Sequence, residues 1–182
     1  MKVEIEKYPL IHPATIVLIG TSHENVINFT TIGDIAIAGI NPPLIMISIN
    51  ENHLASTHID ETSTFSINVP TTNLLEFVDY CGIYTGKVED KSKNTQFEIV
   101  DNVPIITLSP ISLIAKVLSR QQISQRVIYL CEIIKTLVDE SIYKNQTLNL
   151  SEVKTILYGL DNQYYELGKA IGIGYKIGIK KI

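Results

Sequence analysis

The chain has 182 residues, 45% of them hydrophobic, with a mean hydropathy of +0.18, a formal net charge of −4 and a pI near 5.5. That length supports one domain (1–182) with a full core, and the acidic balance argues against a nucleic-acid partner. No apolar run reaches the roughly 18 residues of a membrane span, and the opening MKVEIEKYPL lacks the apolar stretch of a signal peptide, so a soluble, cytoplasmic chain is expected.

Ile and Val dominate the apolar residues and favour pleated, half-buried surfaces, so sheet is expected more than helix. Ala14 to Ile19 is an apolar run of strand length, best placed in a barrel with both faces covered. Gly20 to Asn25 is a polar turn cluster, and Val26 to Thr31 restarts a strand, so the two form a hairpin. Pro42 and Pro43 confine the next strand, Leu44 to Ile49, to an edge or entry position. A short helix over Leu54 to Thr62 precedes a strand from Phe65 to Val69. Thr71 or Thr72 is placed to cap a second helix running through Tyr80, with Leu74, Leu75 and Val78 on one face.

From Gly82 to Gln96 the chain turns polar and Lys-rich, which marks a long loop of the kind that often carries function. Phe97–Leu108, Ile111–Leu118 and Arg126–Val138 are three further strand-like runs; the last is long enough for a helix, but its β-branched density favours strand. Ser151 to Gly168 has helical character, and a Gly- and Lys-rich tail, GKAIGIGYKIGIKKI, follows. Six or more short strands with few helices predict a mainly β fold, a closed barrel with helical additions.

The residues exclude several chemistries. No GxSxG elbow or base-orienter pair supports a hydrolase, and no HExxH or carboxylate cluster supports a metal site. The two cysteines, Cys81 and Cys131, lie far apart and form neither a CxxC pair nor a disulfide framework. The tail glycines superficially suggest a dinucleotide loop, but no acidic residue follows at the required distance.

Four strings remain: Asn28-Phe29-Thr30-Thr31; Asn41-Pro42-Pro43 with the strand through Ser48 to Ile49; Phe65-Ser66-Ile67-Asn68-Val69; and Tyr80-Cys81-Gly82-Ile83-Tyr84-Thr85-Gly86-Lys87-Val88-Glu89-Asp90-Lys91. Together with Ile156-Leu157-Tyr158-Gly159 and Tyr164-Tyr165-Glu166-Leu167-Gly168, they resemble the flavin reductase-like family, which includes flavoredoxins, over nearly the whole chain. The resemblance implies a split β-barrel of the Greek-key, FMN-binding type with short helices packed on it, and a homodimer with flavin near the subunit boundary. It implies non-covalent FMN, with Asn28, Thr30 and Thr31 at the ring edge and Ser48 on the neighbouring strand. Lys91, with Lys87 and with His53 or Thr57, would meet the phosphate. Gly82 would allow close backbone approach, Cys81 would pack against the ring, and Tyr158 and Tyr164 would cover it. The implied function is an oxidoreductase passing hydride or electrons from NADH, NADPH or a redox partner through FMN; the alternative is a flavin-binding or interaction module without turnover.

Taken singly, these residues keep plainer readings: Asn28 to Thr31 as a polar strand end, the lysines as a solvated loop, the tyrosines as a packing stripe, His53 as an exposed helix start. Asn68 reads as a buried brace bonded to backbone. The chain departs from the family at Gly33-Asp34-Ile35, where an aromatic often stands, and at His53-Leu54-Ala55, in place of Arg-Tyr-Thr. It departs again at Ser124-Gln125-Arg126, where reductases commonly have Gly-Asp-His. No catalytic side chain is assigned.

Overall fold

The computed structural model of the chain describes residues 1–179. Its opening strand pair is interrupted once: β1 (Ala14–Thr15) and β2 (Val17–His23) are separate, and only β2 enters the main sheet. The hairpin to β3 (Val26–Ile32) turns on two residues, Glu24 and Asn25, both at positive φ (48° and 65°). That conformation matches the twist of the strands it joins. Gly20 to His23, expected in the turn, therefore belong to the strand. Gly20 lies where a Cβ would strike Ser66 and the Pro104 carbonyl, so a residue that reads as a breaker is here a point of close backbone packing.

β4 (Ile35–Gly39) and β5 (Leu44–Asn50) form a second hairpin across the Pro-Pro turn, followed by α1 (Leu54–Thr62) and β6 (Thr64–Val69). A single 3₁₀ turn (72–74) leads into α2 (Leu75–Ile83), and no side chain caps either start, so the expected threonine cap is not formed. The helix continues to Ile83, three residues beyond the expected end, and so carries Cys81 and Gly82 in its last turn. The run from Phe97 to Leu108 is two strands, β7 (Phe97–Val100) and β8 (Val103–Ile106), because Asp101 and Asn102 adopt the same positive-φ turn as Glu24 and Asn25. β9 (Ile111–Ile123) and β10 (Arg126–Val138) form the longest hairpin, as the β-branched density of β10 foretold.

Beyond it, the small hairpin β11 (Tyr143–Lys144) and β12 (Thr147–Leu148) turns on Asn145 and Gln146. The stretch 151–168, expected to be helical, contains β13 (Ile156–Tyr158) and β14 (Tyr164–Glu166), with only a 3₁₀ turn at 150–152. β13 pairs with β1, about 140 residues earlier in the chain (Ala14 opposite Tyr158), and this long-range ladder decides its conformation.

The main sheet runs β3-β2-β6-β9-β10-β5-β4, with antiparallel pairing throughout. It curls around one apolar core that includes Ile19, Ile47, Ile49, Phe65, Ile67 and Val127. A second core, with Leu18, Phe29, Leu74, Phe77 and Val78, fills the space between the outer face of β2 and β3 and helix α2. β2 is thus buried on both sides, which explains its unbroken apolar run. Asn68 braces this double layer. Its amide donates to the Leu18 carbonyl (3.1 Å) and Ser66 Oγ (2.9 Å), and its oxygen accepts from Ile106 N–H (2.9 Å) and Ser112 Oγ (2.8 Å). No helix among the described residues is long and apolar enough to cross a membrane.

Candidate functional site

A cleft of about 100 Å³ opens where β3, the start of α1 and the segment from the last turn of α2 to Lys91 converge. β3 contributes Asn28, Thr30 and Thr31; the α1 start contributes His53, Leu54 and Ala55; the third wall is Cys81 to Gly86, and Lys91 lies at the base.

Local bonding fixes each wall. Thr31 Oγ1 donates to the Val78 carbonyl at 2.6 Å, tying α2 to β3. Helix α1 is held by two buried contacts. His58 Nδ1 lies 3.1 Å from Thr21 Oγ1, and the Tyr129 hydroxyl meets Ser56 Oγ at 2.9 Å while donating to Asp60 at 2.8 Å. Arg120 closes that chain on Asp60 at 2.9 Å. Asp90 accepts from the N–H and hydroxyl of Ser92 (3.3 and 2.6 Å), winding residues 91–94 into a 3₁₀ turn that sends Lys91 inward. Those bonds from Ser92, and then Lys93, hold the Asp90 carboxyl below its usual range.

Lys91 is the informative residue. It is only 2% exposed, yet among the described residues its ammonium has one protein acceptor, the Cys81 carbonyl at 2.9 Å. An ammonium carries three donors, and burying it is costly unless they are matched. Burial accordingly lowers its pKa. The α1 start faces the same space, and the first N–H groups of a helix lack intrahelical partners and favour an anion. His53, at that start, has its pKa lowered by burial first, then by the charges of Lys91, Arg126 and Lys87. The charges of three further basic side chains thus reach His53. The β3 wall of the cleft offers neutral groups: the Asn28 amide and the Thr30 and Thr31 hydroxyls. Burial pushes the Cys81 thiol up to about 12 against the opposing pull of Lys91; it is a packing group, not a nucleophile.

Of the residues singled out in the sequence, Asn28, Thr30, Thr31, His53, Cys81, Gly82 and Lys91 come together in the cleft. Five do not line it. Ser48 is engaged by Arg126, whose Nε meets its hydroxyl (3.1 Å) and whose Nη2 meets its carbonyl (2.8 Å). Thr57 and Lys87 are exposed, although the Lys87 charge reaches His53. Tyr158 and Tyr164 pack on each other, their hydroxyls bonded to Asn162 (2.8 Å) and Asp79 (2.9 Å). Arg126 also ion-pairs with Asp34, so two of the departures from the family pattern contact each other. Leu54, Ala55, Ile83, Tyr84, Thr85 and Gly86 complete the lining. Gly86 carried a signal: a Cβ there would run into the Asn28 amide and press on Leu54.

Cations, neutral hydrogen-bonding groups and glycines on the walls of one cleft are the groups that a phosphorylated, ring-bearing ligand would require. Comparisons with known proteins agree in kind. Flavoredoxin from Methanosarcina acetivorans superposes with a TM-score of 0.92 at 24% identity, over 98% of this chain and 97% of that one. Flavoredoxin of Desulfovibrio vulgaris (Miyazaki F) gives 0.90 at 23%, over 98% and 100%. An FMN-binding protein from Thermus thermophilus gives 0.81 at 15%, over 95% and 97%. At these identities the likeness establishes the fold. A search of curated protein sequences returned no match. The model of the flavin reductase like domain, however, matches residues 10–167, nearly the whole barrel and every wall of the cleft, and on that match the chain belongs to the flavin reductase-like family.

Proposed function

We propose that this protein holds FMN in the cleft and works as an FMN-dependent oxidoreductase or electron carrier. The observation that carries the reading is the buried Lys91 ammonium, two of whose donors lack protein partners among the described residues, set beside an open helix start. A phosphate dianion answers both, and charge-assisted bonds of this kind are among the stronger ones proteins make. Lys91 and the first N–H groups of α1 would hold the phosphate, with His53 beside it. Asn28, Thr30 and Thr31 would fix the polar edge of the ring, and Cys81 and Gly82 would pack along it. When bound, the flavin supplies hydride and electron chemistry. The side chains bind, orient and exclude water; Cys81 stays protonated and takes no covalent part. NADH, NADPH or a redox protein would be the donor, and a pair of copies the working unit.

The test is an absorbance spectrum of the purified protein before and after adding FMN, with a fluorescence titration. Colourless protein that neither shifts nor quenches added FMN refutes the reading. A second reading rests on Arg126: its guanidinium is committed to Ser48 and Asp34 at a position where reductases of the family commonly carry histidine. On that reading the protein binds flavin without turning it over. Stopped-flow mixing with NADH and NADPH separates the two, since rapid bleaching of bound FMN excludes the binding-only module.

A further inference from the structure

The segment after β14 makes no use of its own chemistry. From Ile171 to Ile179 every odd position is large and apolar (Ile171, Ile173, Tyr175, Ile177, Ile179), and every even one is Gly or Lys. Period-two alternation marks a strand with one apolar face, and Gly172, Gly174 and Gly178 argue against helix. Among the described residues, however, none after Glu166 joins a ladder. The segment instead turns on itself, with Lys176 and Ile177 N–H on the Ile173 carbonyl (3.2 and 3.1 Å), and leaves Tyr175 at φ 59°. A bulky residue rarely adopts that conformation, and an extended backbone removes it. All five apolar side chains remain 63–103% exposed.

The barrel offers a matching surface. Of the two edges of the main sheet, β3 is flanked by α2, whereas among the described residues β4 has β5 on one side and no strand on the other. Beside β4 lies an apolar groove lined by Val17, Ile35, Ile37, Ile45, Val69 and Leu113, and Ile37 on its rim is 72% exposed. Charge gives the pairing a direction. The sequence after Glu166 contains four lysines and no acid; the rest of the chain sets 11 basic residues against all 19 acidic ones, a net −8. A basic strand and an acidic body attract.

We infer that residues 170–179 form an exchange arm that adds as a strand to the β4 edge of a second copy, its odd-numbered side chains entering the groove. Strand addition to an open edge takes affinity from main-chain bonds and specificity from alternate side chains. Reciprocal exchange about a two-fold axis doubles the buried area without further sequence.

The test pairs two full-length variants, Ile37→Cys and Ile173→Cys, mixed and oxidised, with the double variant run alongside. The native thiols Cys81 and Cys131 are buried and do not compete. The inference expects a disulfide between the two different chains and intermolecular linkage in the double variant; purely intramolecular linkage, or none, overturns it. Sedimentation of full-length Ile171→Asn/Ile173→Asn/Ile177→Asn is the second measurement. Self-association at least tenfold weaker, with an unchanged melting profile, supports the arm, and unchanged association overturns it. Pelleting of the parent protein with phosphatidylserine vesicles but not with phosphatidylcholine vesicles, without self-association, also overturns it.

Discussion

Replacing Lys91 by Met keeps the length and much of the volume of the side chain while deleting its charge. In the ligand-free protein the change removes a buried ammonium that burial already disfavours and costs the Cys81 carbonyl one bond. The two effects oppose each other, so the melting temperature without ligand should move little. With ligand the balance differs. A hydrogen bond to a charged group contributes about 1.5–3 kcal/mol, and each 1.4 kcal/mol is a factor of ten in affinity. Loss of the Lys91–phosphate contact should therefore weaken FMN binding about 10- to 150-fold. Riboflavin has the same ring without the phosphate, so its affinity should hardly change. Parallel fluorescence-quenching titrations of both flavins, on parent and variant, read the effect directly. Equal losses for FMN and riboflavin would mean that Lys91 shapes the cleft without contacting a phosphate, and no loss for either would remove it from the site.

Gly86→Ala places a methyl group against the Asn28 amide and Leu54; FMN and riboflavin should both bind at least tenfold more weakly, with the urea midpoint nearly unchanged because residue 86 lies outside the barrel ladders. Asn68→Ala takes a buried partner from the Ile106 N–H and from the Leu18 carbonyl, and at about 1–3 kcal/mol for each group affected it should lower stability in urea by about 2–6 kcal/mol; a loss under 1 kcal/mol would refute the bracing role. His58 is buried against Thr21, and its pKa is lowered by burial and then by His23. Its folded pKa lies below the unfolded 6.5, so the unfolded chain takes the proton first as pH falls. The stability of the neutral form is fully present above about pH 6.5 and is lost below it. The urea midpoint should drop between pH 7.5 and 5.5, and His58→Gln should flatten that slope. Asp34→Asn breaks a partly exposed ion pair with Arg126 and should cost no more than about 1 kcal/mol; a larger loss in urea would show that the pair organises the sheet.

What the sequence disclosed follows the range of the interactions involved. β2, β3, β5 and β6 were legible because burial of one or both faces prints itself on neighbouring residues, and α1 because its polar run sits between two such strands. The stretch 151–168 misled because its Leu, Glu, Lys and Tyr content suits a helix, whereas its conformation depends on a partner strand at Ala14–Thr15. The division of 97–108 into two strands turned on Asp101 and Asn102 accepting positive φ, which an apolar run on both sides conceals. In the site, the two contiguous strings, 28–31 and 80–91, brought most of the cleft with them. The engagement of Ser48 by Arg126 spans 78 positions and that of Asp34 spans 92, and no local pattern announces either. Lys91 was singled out by the string it closes, but its burial was not legible there, because it comes from the turn that Asp90 caps.

The Thr31 hydroxyl has one further consequence. Its proton is committed to the Val78 carbonyl, so toward the cleft it presents only lone pairs, whereas Lys91 can only donate. At those two positions the cleft thus asks opposite things of a ligand, a donor facing Thr31 and an acceptor facing Lys91. The direction of the Thr31 hydroxyl is in turn set by the helix on the other side of the strand.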